Sequence, residues 1–251
     1  MLTTLPRTRV VSEAEPIESI LRLPLVYGMA ADDEWLKILR ATIQTLGGSR
    51  RDIDRYVVKF DPWHSVDIET VRRAFPGVPC LFVYRHPLEV FASHARSVGG
   101  RMLGGPVEMY LSGLTPTDLA AMSIEEFWIH ALRRWSEAGL DASHGGVRLV
   151  EYEQLPEIVP DLAEEYLHLP ERATWWDSMT RLANQNAKSP ETAFVQDSAT
   201  RRDGVPEPWR SLIARDLVPV HHALEVQRLR QAGGKEPPSS AEAPSDYWRG
   251  G

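Results

Sequence analysis

The sequence predicts an α/β protein, a three-layer arrangement with a mostly parallel sheet and helices on both faces. Strand-like and helix-like segments alternate along the chain, and such alternation implies right-handed crossovers between parallel strands. Cys80-Leu81-Phe82-Val83-Tyr84 is a continuous apolar run, the pattern of a central strand buried on both faces. With 251 residues, 43% of them hydrophobic and 25% charged, the chain can bury a substantial core. One α/β domain is expected over residues 1–231. The stretch Ala232–Gly251 is rich in Gly, Pro, Ser and Ala. It cannot bury enough apolar surface to offset its ordering entropy and is expected to be a disordered tail.

The elements follow in order. Arg9–Ser12 reads as a short strand, and Pro16 opens a helical turn to Leu21. Asp32–Leu46 carries Trp35, Leu36, Leu39, Ile43 and Leu46 at helical spacing, and Gly47-Gly48 ends it. Tyr56–Phe60 is a strand and Val66–Phe75 a helix broken by Pro76-Gly77. After the strand Cys80–Tyr84, Pro87–Val98 is helical. Ser123 and Glu126 form a capping-box pair at the head of a helix reaching Ala138. Val147–Tyr152 is the next strand, followed by helices at Ile158–His168 and Trp175–Leu182, and a long one from Glu207 to Arg230 kinked at Pro219. The Gly-rich stretch Val98–Ser123 reads as a long loop, and long loops are usually functional.

Composition removes several function classes. Twenty-eight Lys and Arg stand against 35 Asp and Glu, a net charge of −7 with no basic block, so nucleic acid is not an expected partner. A single cysteine, Cys80, excludes an internal disulfide and a cysteine zinc site, and its apolar setting reads as a buried small hydrophobe. No apolar stretch approaches the roughly 20 residues that cross a bilayer. No apolar signal segment is evident at the start, so no membrane partner and a cytoplasmic location are expected. Trp175-Trp176 and His221-His222 read as packing and helix surface, and no metal site is expected.

On open parallel sheets, ligands bind beyond the carboxyl ends of the strands. There the chain runs from Tyr84 into Arg85-His86-Pro87, with Ser93 eight positions after the arginine. Free amides at a helix start attract anions, and a guanidinium offers a planar fork suited to phosphate. Pairing of Arg85 with Glu89 is the alternative, and the sequence leaves both open.

The segment Arg85-X-Pro87 followed by Ser93, behind an apolar strand, resembles the 3′-phosphate signature of bacterial-type PAPS-dependent sulfotransferases. PAPS, 3′-phosphoadenosine 5′-phosphosulfate, is the activated sulfate donor. Val10-Val11-Ser12-Glu13-Ala14-Glu15-Pro16 resembles the family's second strand and its acidic end. Tyr56-Val57-Val58-Lys59-Phe60-Asp61-Pro62-Trp63-His64 resembles the strand that delivers a lysine to the transfer site. Val150-Glu151-Tyr152-Glu153-Gln154-Leu155 resembles the Tyr-Glu-Asp-Leu box, with Gln for Asp. The resemblance runs from about Leu5 to Arg202 and implies a P-loop NTPase-like sulfotransferase fold. It also implies PAPS as cosubstrate and a hydroxyl-bearing acceptor, a small molecule or other.

The family's opening strand and Gly- and Ser-rich loop, which cradles the 5′-phosphosulfate, have no counterpart in these residues. By the resemblance the fold is expected to be N-terminally truncated, with a gap in its sheet, impaired transfer and open edges through which homo-oligomers could form. A non-catalytic binding module of the same fold is the rival, and a small kinase is disfavoured by the lack of a P-loop.

The resemblance implies a role for each site residue. Lys59 would supply positive charge at the transfer site, and Glu13 or His64 the base; many members hold a histidine where this chain has Asp61. Arg85 and Ser93 would bind the 3′-phosphate, Tyr152 would approach the nucleotide, and Arg201 and Arg202 would close over the 3′-phosphate. The alternatives are a surface lysine, a helix-capping glutamate, a hydrogen-bonded loop histidine, a core tyrosine and a solvated charge pair.

Overall fold

A computed structural model of the chain describes residues 7–48, 53–96, 105–163, 175–183, 185–186, 189–193 and 204–233. The elements run β1 (Thr8–Ser12), α1 (Glu15–Tyr27), α2 (Asp33–Gly47), β2 (Arg55–Lys59), α3 (Ile68–Ala74), β3 (Leu81–Tyr84), α4 (Pro87–Arg96), α5 (Pro106–Ser112), α6 (Pro116–Ala121), α7 (Ile124–His144), β4 (Arg148–Glu151), α8 (Val159–Asp161), α9 (Trp176–Ala183), β5 (Gln185–Asn186), β6 (Ser189–Ala193), α10 (Glu207–Asp216) and α11 (Val218–Gln231). The protein is mixed α/β and mostly helical, with two small parallel sheets, β1-β2 and β3-β4, and an antiparallel pair β5-β6. It divides into two compact units, Met1–Pro79 with Leu155–Val195 and Cys80–Gln154 with Gln196–Gly251. No helix among the described residues is long and apolar enough to cross a membrane.

In the first unit, β1 and β2 pair in parallel from Thr8↔Arg55 to Ser12↔Lys59. Arg7 Nε and Nη2 clasp the Asp54 carboxylate at 2.5 and 2.8 Å, just before the paired residues. Helices α1 and α2 lie between the two strands in sequence and supply most of the core: Ile17, Leu21, Trp35, Leu36, Leu39 and Ile43, joined by Ala74. Asp32 caps α2 by accepting the Trp35 N–H at 3.0 Å. Pro24 lies inside α1. Lacking an N–H, it cannot serve the carbonyl of Ile20, four residues earlier. Trp35 Nε1 donates to that carbonyl instead, at 3.1 Å, so one tryptophan fills the core and repairs the helix. A second cluster, Val159, Ala163, Trp175 and Met179, is the core of the later segment.

In the second unit, β3 and β4 pair in parallel from Leu81↔Arg148 to Tyr84↔Glu151. The capping box at α7 forms as expected: Glu126 N–H donates to Ser123 Oγ at 3.2 Å, and Ser123 N–H to Glu126 Oε2 at 2.7 Å. Gly139 of α7 lies under the Phe82 ring, where a Cβ would fall 2.4 Å from ring carbons; the close approach requires glycine. Tyr84, Leu149 and Leu224 form a buried cluster joining β3, β4 and α11. The side chain of Gln231, in the last turn of α11, stands in for a third strand on β4. Its Oε1 accepts the Leu149 N–H at 2.8 Å, and its Nε2 donates to Val147 O at 2.7 Å.

Several expectations need correcting. All four expected strands form and both pairings are parallel, but they lie in two two-stranded sheets rather than one. β3 is not buried on both faces: Val83 is 49% exposed, and Leu81 and Phe82 are partly exposed, as is Cys80. A strand with one partner and few helices over it cannot hide both rows of side chains, however apolar the run. The stretch 98–123 is not one long loop: α5 and α6 occupy much of it, each with proline in its first turn. Thr115 caps α6 by accepting the Asp118 N–H at 3.2 Å. The long terminal helix is two helices meeting at Leu217, because Pro219 suits a helix's first turn and not its interior. Ala232 and Gly233 turn out of α11, and the rest of the expected tail lies outside the described residues.

Replacing Gln231 with Ala leaves a buried strand amide and carbonyl unpaired, at a cost of about 1–3 kcal/mol. Denaturant unfolding should show that loss, and hydrogen exchange of the Leu149 amide should accelerate in step. Unchanged Leu149 protection would contradict the strand-mimic role.

Candidate functional site

Parallel pairing sends both strands of a sheet out at the same end. In the first unit Ser12 lies opposite Lys59, so Glu13 and Phe60-Asp61 leave side by side. Glu13 N–H donates to the Lys59 carbonyl at 2.8 Å, and the Lys59 ammonium pairs with the Glu13 carboxylate. Glu13 turns the chain at φ 52°, a left-handed conformation unusual for a glutamate. Backbone conformations of this kind concentrate at functional sites. Asp61 is partly buried beside them. Burial, then the Glu13 charge and a hydrogen bond with Glu13, push its carboxyl up to about 6. Glu13, Lys59 and Asp61 thus form a compact acid–base cluster at the carboxyl edge of the sheet.

His64 sits behind this cluster, 4% exposed, in the 3-10 turn Pro62–Asp67. Its Nδ1 accepts the Asp61 N–H at 3.2 Å, and its Nε2 meets Glu18 Oε2 of α1 at 2.5 Å. Both ring nitrogens are engaged, which leaves none facing an acceptor and weighs against His64 as the base. Glu18 also accepts from Arg22 Nε at 3.3 Å, and Arg22 forks onto both oxygens of Asp67. Burial alone would raise Glu18, but the bonds from His64 and Arg22 outweigh it and hold the carboxyl down at about 2. At Asp67 burial wins over the same arginine, and the carboxyl is raised.

In the second unit Tyr84 lies opposite Glu151, so Arg85 and Tyr152 leave together. The Arg85 guanidinium lies 4.8 Å over the Tyr152 ring, and its Nε donates to Glu89, which is 0% exposed. The pairing with Glu89 left open by the sequence is therefore present. The expectation of free amides at the start of α4 is corrected. Pro87 has no N–H, Leu88 N–H donates to His86 Nδ1 at 3.3 Å, and the Glu89 and Val90 amides donate to His86 O at 3.0 and 3.2 Å. Ser93 lies partly buried on α4, one helical step beyond Glu89. A cavity of about 30 Å³ beside Arg85, lined also by Tyr84, Ser136 and His221, has room for water and not for a nucleotide.

Behind Arg85, Tyr84 Oη donates to Glu225, which Arg228 grips through Nη2 at 2.5 Å. Burial and then that carboxylate push the Tyr84 phenol above its ordinary range. Glu151 accepts the Glu153 N–H at 2.6 Å, yet burial, aided by the charges of Glu153 and Glu225, raises it to about 7. Arg201 and Arg202 lie outside the described residues. Among the described residues no group of three or more His, Cys, Asp or Glu side chains is gathered as a metal site.

Sequence reasoning assigned no role to Asp61, Glu18 or Glu151. Asp61 carried one signal, its place two residues after Lys59; the other two are ordinary acids in sequence, marked only by what surrounds them. No family model and no curated protein matches the chain.

Glu151 generates a pH-dependent prediction. With its folded value raised, the ionised carboxylate opposes folding fully above about pH 7, and the penalty disappears as pH falls toward the ordinary 4.5. Glu151→Gln keeps an acceptor for the Glu153 amide without the charge. It should stabilise the protein by about 2–3 kcal/mol at pH 8 and by little at pH 4. Urea melts at the two values test this; equal effects would contradict it.

Proposed function

We propose that the chain is a sulfotransferase-like protein, acting on a 3′-phosphoadenosine nucleotide donor and a hydroxyl acceptor. The observation that carries this reading is the Glu13–Lys59–Asp61 cluster at the carboxyl ends of a parallel pair. In-line transfer requires a base for the hydroxyl proton and positive charge where the leaving oxygen develops its own. Asp61, poised near 6, is suited to take the proton as the acceptor oxygen bonds to sulfur. The bond from sulfur to the nucleotide's phosphate oxygen then breaks, and Lys59 is suited to neutralise that oxygen. Glu13, paired with Lys59, keeps the ammonium at the strand end and raises Asp61 into a useful range. Taken by itself, the second unit offers Arg85 stacked on Tyr152, with Ser93 on the following helix, as the group proposed to bind a 3′-phosphate.

A second reading, a binding module without transfer, is favoured by the neutralised Arg85–Glu89 pair, the occupied α4 amides and the water-sized cavity. It predicts nucleotide binding at most.

Labelled PAPS offered with a panel of hydroxyl acceptors should give transfer to at least one of them. The rate should rise with pH through about 6 as Asp61 ionises, and Asp61→Asn should lower it about 100-fold or more. No transfer to any acceptor, with nucleotide still bound, would establish the second reading. Calorimetry with 3′-phosphoadenosine 5′-phosphate should show weak binding that Arg85→Ala abolishes. Equal affinity in the two proteins would remove Arg85 from the site.

A further inference from the structure

The chain of polar groups behind Asp61 has no part in the transfer chemistry, and its cost is high. His64, Glu18, Arg22 and Asp67 have side chains 3%, 8%, 8% and 14% exposed. Burying charged groups is unfavourable unless each is paired and hydrogen-bonded. Here each is: His64 to Glu18 at 2.5 Å, Glu18 to Arg22 at 3.3 Å, and Arg22 to both Asp67 oxygens. Its middle members, Glu18 and Arg22, stand on α1 and both its ends lie in the turn that follows Asp61, where the His64 end contacts a backbone amide, that of Asp61 itself.

We infer that His64 is a positioning residue: the buried chain Asp67–Arg22–Glu18 fixes its ring, and its Nδ1 in turn holds Asp61 beside Glu13 and Lys59. The inference rests on the proposed role for Asp61. An N–H points at Nδ1, so that nitrogen must present its lone pair and the ring proton sits on Nε2, toward Glu18. The His64 N–H closes the turn by donating to the Asp61 carbonyl at 3.0 Å, so the same residue holds both backbone groups of Asp61. Phe60 and Trp63 flank the ring at centroid distances of 5.7 and 5.8 Å and leave it little freedom to rotate. The titratable groups facing Asp61 are Glu13 after β1, which raises its carboxyl, and Lys59 on β2 and His64 in the turn, which lower it. Those facing His64 are Glu18 from α1 and Asp61 and Asp67 from its own segment. If the His64 contact fails, the Asp61 carboxyl is free to swing from Glu13 into solvent, and losing the burial and the Glu13 charge that raise it most outweighs losing the lowering that His64 itself exerts.

The test is a carbon-13 titration of the Asp61 carboxyl in the 251-residue chain, which needs neither donor nor acceptor. Wild type should titrate at about 6. His64→Gln, whose amide can reach Glu18 but not the Asp61 N–H, should bring the midpoint down by at least one pH unit. His64→Asn, which places an oxygen near the Nδ1 position, should restore most of the shift. Midpoints unchanged in both variants would overturn the inference. Should both variants fail to fold, nitrogen-15 correlation of the His64 ring in wild type decides. A proton on Nε2 with Nδ1 bare supports the arrangement, and a proton on Nδ1 at neutral pH overturns it. Absence of sulfate transfer would remove the proposed function and leave the titration result standing; active protein with an unmoved midpoint would do the reverse.

Discussion

The register of the two parallel pairs is the constraint on which the candidate chemistry depends. In an antiparallel pair the chain would leave opposite ends, and residues following the two strands would be separated by the strands' full length. Parallel pairing gathers them. Ser12 opposite Lys59 brings Glu13, Lys59 and Asp61 together in one unit, and Tyr84 opposite Glu151 brings Arg85 and Tyr152 together in the other. Since side chains alternate across a strand, a slip of one residue would turn Lys59 to the other face and separate it from Glu13. Apolar packing is what prevents the slip: Tyr56 and Val58 rest on the α1–α2 core, and Phe82 rests on Gly139.

Burial of charge is the second theme. Arg22 serves two carboxylates that respond in opposite directions, Glu18 falling and Asp67 rising. The difference is the company each keeps. Glu18 has a second donor in His64, whereas at Asp67 the bond from the shared cation does not offset burial. Replacing such a chain with apolar residues of similar size is often neutral or stabilising, while removing one member strands the rest. Its presence is therefore better explained by the geometry it imposes than by stability it adds.

Much of this was legible in the sequence where local physics decides. Asp32 before an amphipathic run and Ser123 three residues before Glu126 mark helix starts that form as expected. The four strands were legible from apolar patterning, and Glu13, Lys59 and Arg85 from their position at strand ends. What was not legible depends on neighbours distant in sequence. The run from Cys80 to Tyr84 has the composition of a doubly covered strand, but exposure of Val83 depends on how many elements pack around it. The helices α5 and α6 were hidden because glycines drew attention from Pro106 and Pro116, which are helix starters as readily as turn formers. Asp61 became conspicuous only when burial and Glu13 lifted it, and Glu18 only when His64 and Arg22 closed around it. The sequence left Arg85 open between phosphate binding and pairing with Glu89; the pairing, local at i to i+4, is present.

The Gln231 contact on β4 also orders events in time. The amide and carbonyl it satisfies belong to residues 82 and 84 positions earlier. On a chain emerging from the ribosome at 5–20 residues per second, β4 would be exposed for roughly 4–20 s before its partner is synthesised. During that interval its outer edge is a bare template for another strand. The polar flanks of β4, Arg148 and Glu151, are the protection available meanwhile, and safety of the nascent chain passes from those charges to a single amide only once Gln231 has emerged.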